Sequence, residues 1–241
     1  MLGAPERKRA GLNFEVVTTY SLKHWDSHAS RCVSTFENYW DDVPLIRYTD
    51  ETLEAQSTWL SEFKAANRHR PTDNYRFDAV RFAHKVAAIE LAYANCRADC
   101  LIWMDADCIT HAPVDSNWLQ TLIGDADLAI LNRTRKYTEG GFIMFRKCRK
   151  VDLLIGHMVD LYVYGGVFRL AEWHDCQVLD ECRTLLGVKY ASLSGDFADT
   201  GHPLINGPLG ERLDHLKGRR KEAGKSRRSD LKTARKELYW K

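Results

Sequence analysis

The segment Leu101-Ile102-Trp103-Met104 is apolar at every position, and Asp105 and Asp107 follow it at once. A strand without polar alternation is buried on both faces, as the inner strands of a helix-covered sheet are. Further strand-like runs recur at 14–19, 45–48, 128–131, 141–145 and 188–193. Between them lie stretches of helical spacing at about 26–39, 59–66, 77–95, 114–123, 151–164 and 175–186. In the longest, Phe77, Val80, Val86, Ile89 and Tyr93 fall at helical intervals. Strands alternating with helices in this way predict an α/β fold with a mostly parallel central sheet flanked by helices.

A chain of 241 residues can close one full core around such a sheet. With 44% hydrophobic and 28% charged residues, it has the balance of a globular protein and not of a disordered one. No apolar run approaches a membrane span. Arg7, Lys8 and Arg9 are not followed by an apolar stretch, so no secretory signal is expected. Seven cysteines (32, 96, 100, 108, 148, 176 and 182) are an odd, scattered set without zinc-site spacing, which predicts reduced, mostly buried thiols and a cytoplasmic location. Charge is distributed unevenly. Residues 217–241 carry eleven Lys/Arg against three Asp/Glu, although the whole chain is only +2. The expected organisation is one domain over 12–221 and a basic tail over 222–241, with Ser229-Asp230 capping a last helix through Tyr239.

Two Asp-x-Asp triplets are present, and their positions separate them. Asp105-Ala106-Asp107 follows the carboxyl end of a buried strand, where open α/β sheets bind ligands. Asp125-Ala126-Asp127 precedes a strand, where turn and solvation roles suffice. Two carboxylates at the mouth of a dry sheet repel each other unless a cation lies between them. A hard, oxygen-preferring ion such as Mn²⁺ or Mg²⁺ would fill that place and bridge a diphosphate; loop capping is the plainer alternative. A second constellation is His215-x-x-Gly218-x-x-Lys221. It offers an imidazole, a glycine that lets main chain approach a phosphate, and a lysine point charge.

Together the two motifs resemble those of the GT-A fold nucleotide-sugar glycosyltransferases, and most closely the glycogenin-like glycosyltransferase family 8, in chain order from Phe14 to Lys221. Glu222-Ala223 stand where that family often has Pro-Trp after the lysine. The resemblance implies a GT-A-like domain and a metal held by Asp105, Asp107 and His215. It also implies a nucleotide-sugar donor, UDP-sugar above all, whose nucleotide lies near Thr18, Thr19 and Tyr20. Asp105, Ala106, Gly218 and Lys221 would then line the diphosphate. Arg81 and Lys85, on the helix before the metal strand, would contact donor phosphates or sugar. With Asp78 they share one helix face, so a surface ion-pair ladder is an equal expectation. Glu139, before Gly140-Gly141, and Asp175 resemble the family's pocket residues and are expected to meet sugar or acceptor. Asp175 also suits a plain helix cap.

The tail charge points to a polyanionic acceptor, and DNA carrying a hydroxymethylated pyrimidine, as in some phages, is expected. A cell-surface glycan or lipid-linked saccharide is the alternative acceptor. A nucleotidyltransferase, or a nucleic-acid-binding module without catalysis, would come from other classes.

Overall fold

The computed structural model describes residues 11–70 and 73–241. Arg7 to Arg9, and Pro71-Thr72, lie outside the described residues. In chain order the elements are β1 (Phe14–Tyr20), α1 (Ser30–Tyr39), β2 (Leu45–Thr49), α2 (Asp50–Gln56), α3 (Thr58–Asn67), α4 (Ala79–Asn95), β3 (Cys100–Met104) and β4 (Cys108–Thr110). They continue with α5 (Ser116–Ile123), β5 (Leu128–Arg133), β6 (Lys136–Arg146), α6 (Arg149–Val163), α7 (Asp175–Leu186), β7 (Tyr190–Ser192), α8 (Pro203–Asn206), β8 (Leu213–His215) and α9 (Arg220–Ala223).

The main sheet has six strands in the order β2-β1-β3-β6-β5-β7. Pairs β1–β2, β1–β3 and β5–β7 are parallel, and β6 runs against both of its neighbours. This is the α/β, mostly parallel sheet expected, with one reversed strand. The reversal arises from a hairpin between β5 and β6, turned at Thr134-Arg135 with Arg135 at a left-handed φ of 61°.

Why β3 lacks alternation is plain from its surroundings. Leu101 and Trp103 enter the layer under α3, α4, α6 and α7, while Cys100, Ile102 and Met104 enter the opposite layer with α1, α5 and α8. Truncating a side chain such as Leu101 to Ala in a core of this kind costs about 2–5 kcal/mol. Asp78 caps α4, its side chain accepting from Arg81 N at 3.1 Å, which fixes where that helix starts beneath the site.

The parallel strands β1, β2 and β3 end at one edge of the sheet, and the reversed β6 starts there. Asp105 N–H donates to Gly141 O at 2.9 Å, tying the end of β3 to β6 at that edge. Just past it, β4 and β8 form a separate two-stranded antiparallel ribbon that pairs Cys108 with His215 and Ile109 with Asp214. Where a helix through Tyr239 is expected, the chain makes only single 3-10 turns at Arg228–Asp230 and Leu238–Trp240. Their anchor is Trp240, which is buried in the second core layer. No helix among the described residues is long and apolar enough to cross a membrane.

Candidate active site

Four carboxylates and four cationic side chains meet where β3, β6, β8 and α4 converge. Asp105 Oδ1 accepts from Trp103 Nε1 at 2.7 Å and lies 3.2 Å from Lys85 Nζ. Lys85 also reaches Asp175 Oδ2 at 2.7 Å and donates to Gly140 O at 2.5 Å. Asp107 divides its oxygens, Oδ1 to His215 Nε2 and Oδ2 to Lys221 Nζ, each at 2.9 Å. Asp105 Oδ2 stands 3.7 Å from the same His215 nitrogen. On the far side of the ring, His215 Nδ1 is 3.3 Å from Glu139 Oε1, which also takes Lys217 Nζ at 2.6 Å. Gly141 N–H donates to that oxygen at 3.1 Å.

Local backbone explains the convergence. Cys108 N–H donates to Asp105 O at 2.9 Å, which closes a turn and sends both aspartates to one side of the ribbon. Gly140 and Gly141 pass so close to Lys85 and His215 that no larger residue fits unshifted. A Cβ on Gly141 would lie 2.4 Å from His215 Cε1, and one on Gly140 would lie 2.7 Å from Lys85 Nζ. Gly218, at φ 57°, makes the left-handed turn that returns Lys221 to Asp107.

Burial works against every charge here, and pairing reverses it. Burial pushes the His215 imidazole down, but Asp107 and Glu139 outweigh it and hold the ring up at about 9. Burial likewise raises the Asp107 and Glu139 carboxyls, yet His215 with Lys221 brings the first below the usual range and Lys217 with His215 brings the second well below it. For Lys85, desolvation is overcome by Asp105 and Asp175, and its ammonium is held above the ordinary lysine value. Glu139, Asp175, His215 and Lys85 are buried, whereas Lys217 and Lys221 have side chains 38% and 31% exposed. The cluster therefore presents Lys217 and Lys221, but not Lys85, to solvent.

The donor set suits a hard divalent cation. Asp105 and Asp107 oxygens converge on His215 Nε2, and Glu139 Oε1 lies 3.3 Å from the ring's other nitrogen without a hydrogen bond to it. Asp107, Cys108 and His215 have donor atoms within 4.8 Å of one another. Cys108 is the odd member: burial pushes its thiol well up, and it donates to Gly141 O at 3.5 Å. The usable donors are oxygen and imidazole nitrogen, the set suited to Mn²⁺ or Mg²⁺ more than to a thiophilic metal. A second group, His174, Asp175 and Cys176, is already engaged. Its His174 accepts from Gln177 N and meets Glu172, while Asp175 is held by Lys85.

No protein-family model matches the chain, and no curated protein matches it. Solved structures that align with it include the apo form of WbbM, a bifunctional glycosyltransferase, at 12% identity and a TM-score of 0.49, covering 78% of this chain and 40% of that one. Another is the glycosyltransferase GlyE of Streptococcus pneumoniae TIGR4, at 13% identity and a TM-score of 0.48, covering 77% of this chain and 46% of that one. The chain thus spans less than half the length of either. Likeness at this level assigns no residue a role.

Of the residues singled out by sequence, Asp105, Asp107, Glu139, Asp175, Lys85, His215 and Lys221 come together in one cluster, with Ala106 and Gly218 in its connecting turns. Arg81 is not in it; its side chain is exposed and its guanidinium lies 5.7 Å over the Phe82 ring. A surface ladder from Asp78 through Arg81 to Lys85 does not form either, because Asp78 and Lys85 are buried. Register places Val17 beside Trp103, so Thr18, Thr19 and Tyr20 end β1 level with the start of the Asp105 turn. Thr18 is buried with its hydroxyl unpartnered, Thr19 donates to Tyr48 O at 3.1 Å, and Tyr20 packs on Trp25. Sequence reasoning missed Trp103 as a donor to Asp105, Lys217 as the partner of Glu139, and His202, whose Nε2 bonds His215 O at 3.1 Å. Lys217 lay inside the second motif, two residues past His215. For Trp103 and His202 the sequence held no signal.

Proposed function

We propose that this chain moves a glycosyl group from a nucleoside-diphosphate sugar, UDP-sugar above all, to an acceptor hydroxyl. The observation that carries this is the pairing of Asp105, Asp107 and His215 with solvent-facing Lys217 and Lys221 at the carboxyl edge of a parallel sheet. A carboxylate–imidazole set alone fits a cation, and a lysine pair alone fits an anion. Both side by side fit a cation together with a diphosphate.

In the transfer, the bond from the sugar's anomeric carbon to the phosphate oxygen breaks, and a bond from that carbon to the acceptor oxygen forms. The acceptor's proton is lost, and the nucleoside diphosphate leaves with the electron pair. A divalent cation, Mn²⁺ or Mg²⁺, held by Asp105, Asp107 and His215, would offset charge on the leaving diphosphate. Lys221 and Lys217, paired here with Asp107 and Glu139, would supply further positive charge to that diphosphate. Buried Glu139 lies 3.3 Å from His215 Nδ1, and its own Oε2 is buried without a protein partner. Lys85 and Asp175 are spent on each other, and their task is to set Asp105 in place.

For the acceptor, a hydroxymethylated pyrimidine in DNA is supported by exposed Arg219, Arg227, Lys232 and Lys236. Arg220 and Arg235 do not add to it, being paired with Asp230 and Glu237. The test offers a panel of nucleotide sugars with Mn²⁺ and reads nucleoside diphosphate release, then mass gain on hydroxymethylated DNA and on saccharide acceptors. Chelator and Asp107→Ala should each abolish release. Pyrophosphate release instead would identify a nucleotidyltransferase, and no turnover with any donor would refute the proposal.

A further inference from the structure

The ribbon that carries His215 is too small to hold itself. Each of its strands has three residues, and an isolated two-stranded ribbon is marginal in water. Along β8, successive side chains point to opposite faces. His215 therefore faces the carboxylates, and Asp214 faces the other way.

Asp214 is fully buried, and its charge is satisfied by the chain that follows. Ser226 N–H donates to its Oδ2 at 2.7 Å and Ser226 Oγ to its Oδ1 at 2.6 Å. Tyr239 OH donates to Oδ2 at 2.8 Å. The Tyr239 ring stacks on His111, one residue past β4, with centroids 4.0 Å apart. Next to it, Trp240 is buried and donates from Nε1 to Gly210 O at 2.7 Å, just before β8. Both strands of the ribbon are thus gripped from behind.

A second route reaches His215 itself. Lys232 N–H donates to Asn206 Oδ1 at 2.6 Å, Asn206 Nδ2 donates to His202 O at 2.9 Å, and His202 Nε2 bonds His215 O at 3.1 Å. Arg235 spans the carbonyls of Ile205, Asn206 and Gly207 at 3.1–3.3 Å, pinning the same turn.

We infer that residues 225–241 are a strap that positions His215, with Ser226, Tyr239 and Trp240 as its positioning residues and Asp214 as the group in β8 that they hold. This rests on the proposed cation site and adds what holds that site in shape. The segment's basic character is partly internal wiring: the Arg228 guanidinium bonds Trp240 O, and Lys225 bonds Tyr239 O.

The test is direct Mn²⁺ binding, followed by the electron paramagnetic resonance signal of the free ion and so independent of turnover. A chain ending at Glu237 should bind Mn²⁺ at least about tenfold more weakly, the usual scale for loss of groups that orient a metal ligand. Tyr239→Phe and Ser226→Ala should each weaken it by a smaller factor, and Trp240→Phe, which keeps the apolar plug, should recover most of the affinity lost on truncation. Leu154→Ala, in the opposite core layer, should lower the thermal midpoint and leave Mn²⁺ affinity unchanged, separating positioning from general stability. Wild-type affinity in the folded truncated chain would overturn the strap. If truncation prevents folding, unchanged affinity in both point variants does so. Asp107→Ala is the control for the underlying site: full Mn²⁺ binding in that variant removes the proposed cation site and leaves the strap's hydrogen bonds as they are.

Discussion

Replacing Lys85 by methionine tests how the cluster is held without touching any residue exposed to a substrate. The ammonium lies against Asp105, Asp175 and Gly140 O, and its side chain is only 10% exposed. Methionine keeps the length and removes the charge, so two carboxylates lose their shared counter-ion. Removing one member of a buried ion pair costs about 3–5 kcal/mol, because the charge left behind is desolvated and uncompensated. In a domain of this size each kcal/mol lowers the melting midpoint by roughly 2–4 °C, so Lys85→Met should melt about 6–20 °C below wild type. The pair Lys85→Met with Asp175→Asn should recover at least about 1 kcal/mol, since the second change removes one orphaned charge. Lys85 has a raised folded pKa, so its stabilisation is complete below the unfolded lysine value of about 10.4 and is lost only as pH rises through the higher folded value. The deficit should therefore be equal at pH 6 and pH 9. Denaturation in chelator, at both pH values, measures it. A loss under about 1 kcal/mol, or no recovery in the double variant, would show that the triangle does not bear on stability.

The two adjacent glycines should separate stability from ligand geometry. Gly141→Ala drives a Cβ to 2.4 Å from the rigid His215 ring and should weaken Mn²⁺ binding sharply; Gly140→Ala meets Lys85 Nζ, Cys176 Sγ and Asp175 Oδ2 at 2.7–2.9 Å and should cost stability with a smaller loss of Mn²⁺ affinity. Equal effects on both readouts would contradict that division. His111 is held down at about 4 chiefly by burial, so its neutral form contributes fully above about 6.5 and is lost as pH falls towards 4. Acid titration should accordingly narrow the stability gap between wild type and His111→Phe over that range, and a constant gap would refute it. Lys221→Ala should lower turnover more than it raises donor KM, because on the proposed function the missing charge would act on the departing diphosphate.

The elements most legible in sequence were those whose burial left a pattern. β3, wrapped by two layers, had to be wholly apolar, and α4 and α7 had clear faces. The ribbon strands β4 and β8 were invisible, because three residues cannot display a period. A helix near the end was wrongly suggested by Ser229-Asp230: Asp230 instead pairs with Arg220, and Tyr239 turns inward to Asp214. At the site, spacing disclosed Asp105, Asp107, His215 and Lys221, since motifs record residues whose order is fixed by a turn. Trp103 and His202 act through contacts made only by folding, and their neighbours in sequence do not reveal them, whereas Lys217 lay within the second motif. The two Asp-x-Asp triplets were separable in advance because strand polarity puts Asp105 and Asp107 at the carboxyl edge and Asp125 and Asp127 at the amino edge of β5.

The β4–β8 ribbon joins positions roughly a hundred residues apart, and closing so long a loop carries an entropy cost before any contact repays it. Contacts this far apart in sequence are slow to form, so the meeting of Asp107 and His215 should be a late event on the folding path. An ion held by both residues, as proposed, would act as a reversible cross-link across that loop. It should slow unfolding more than it speeds folding, so the occupied protein would be distinguished above all by its lifetime.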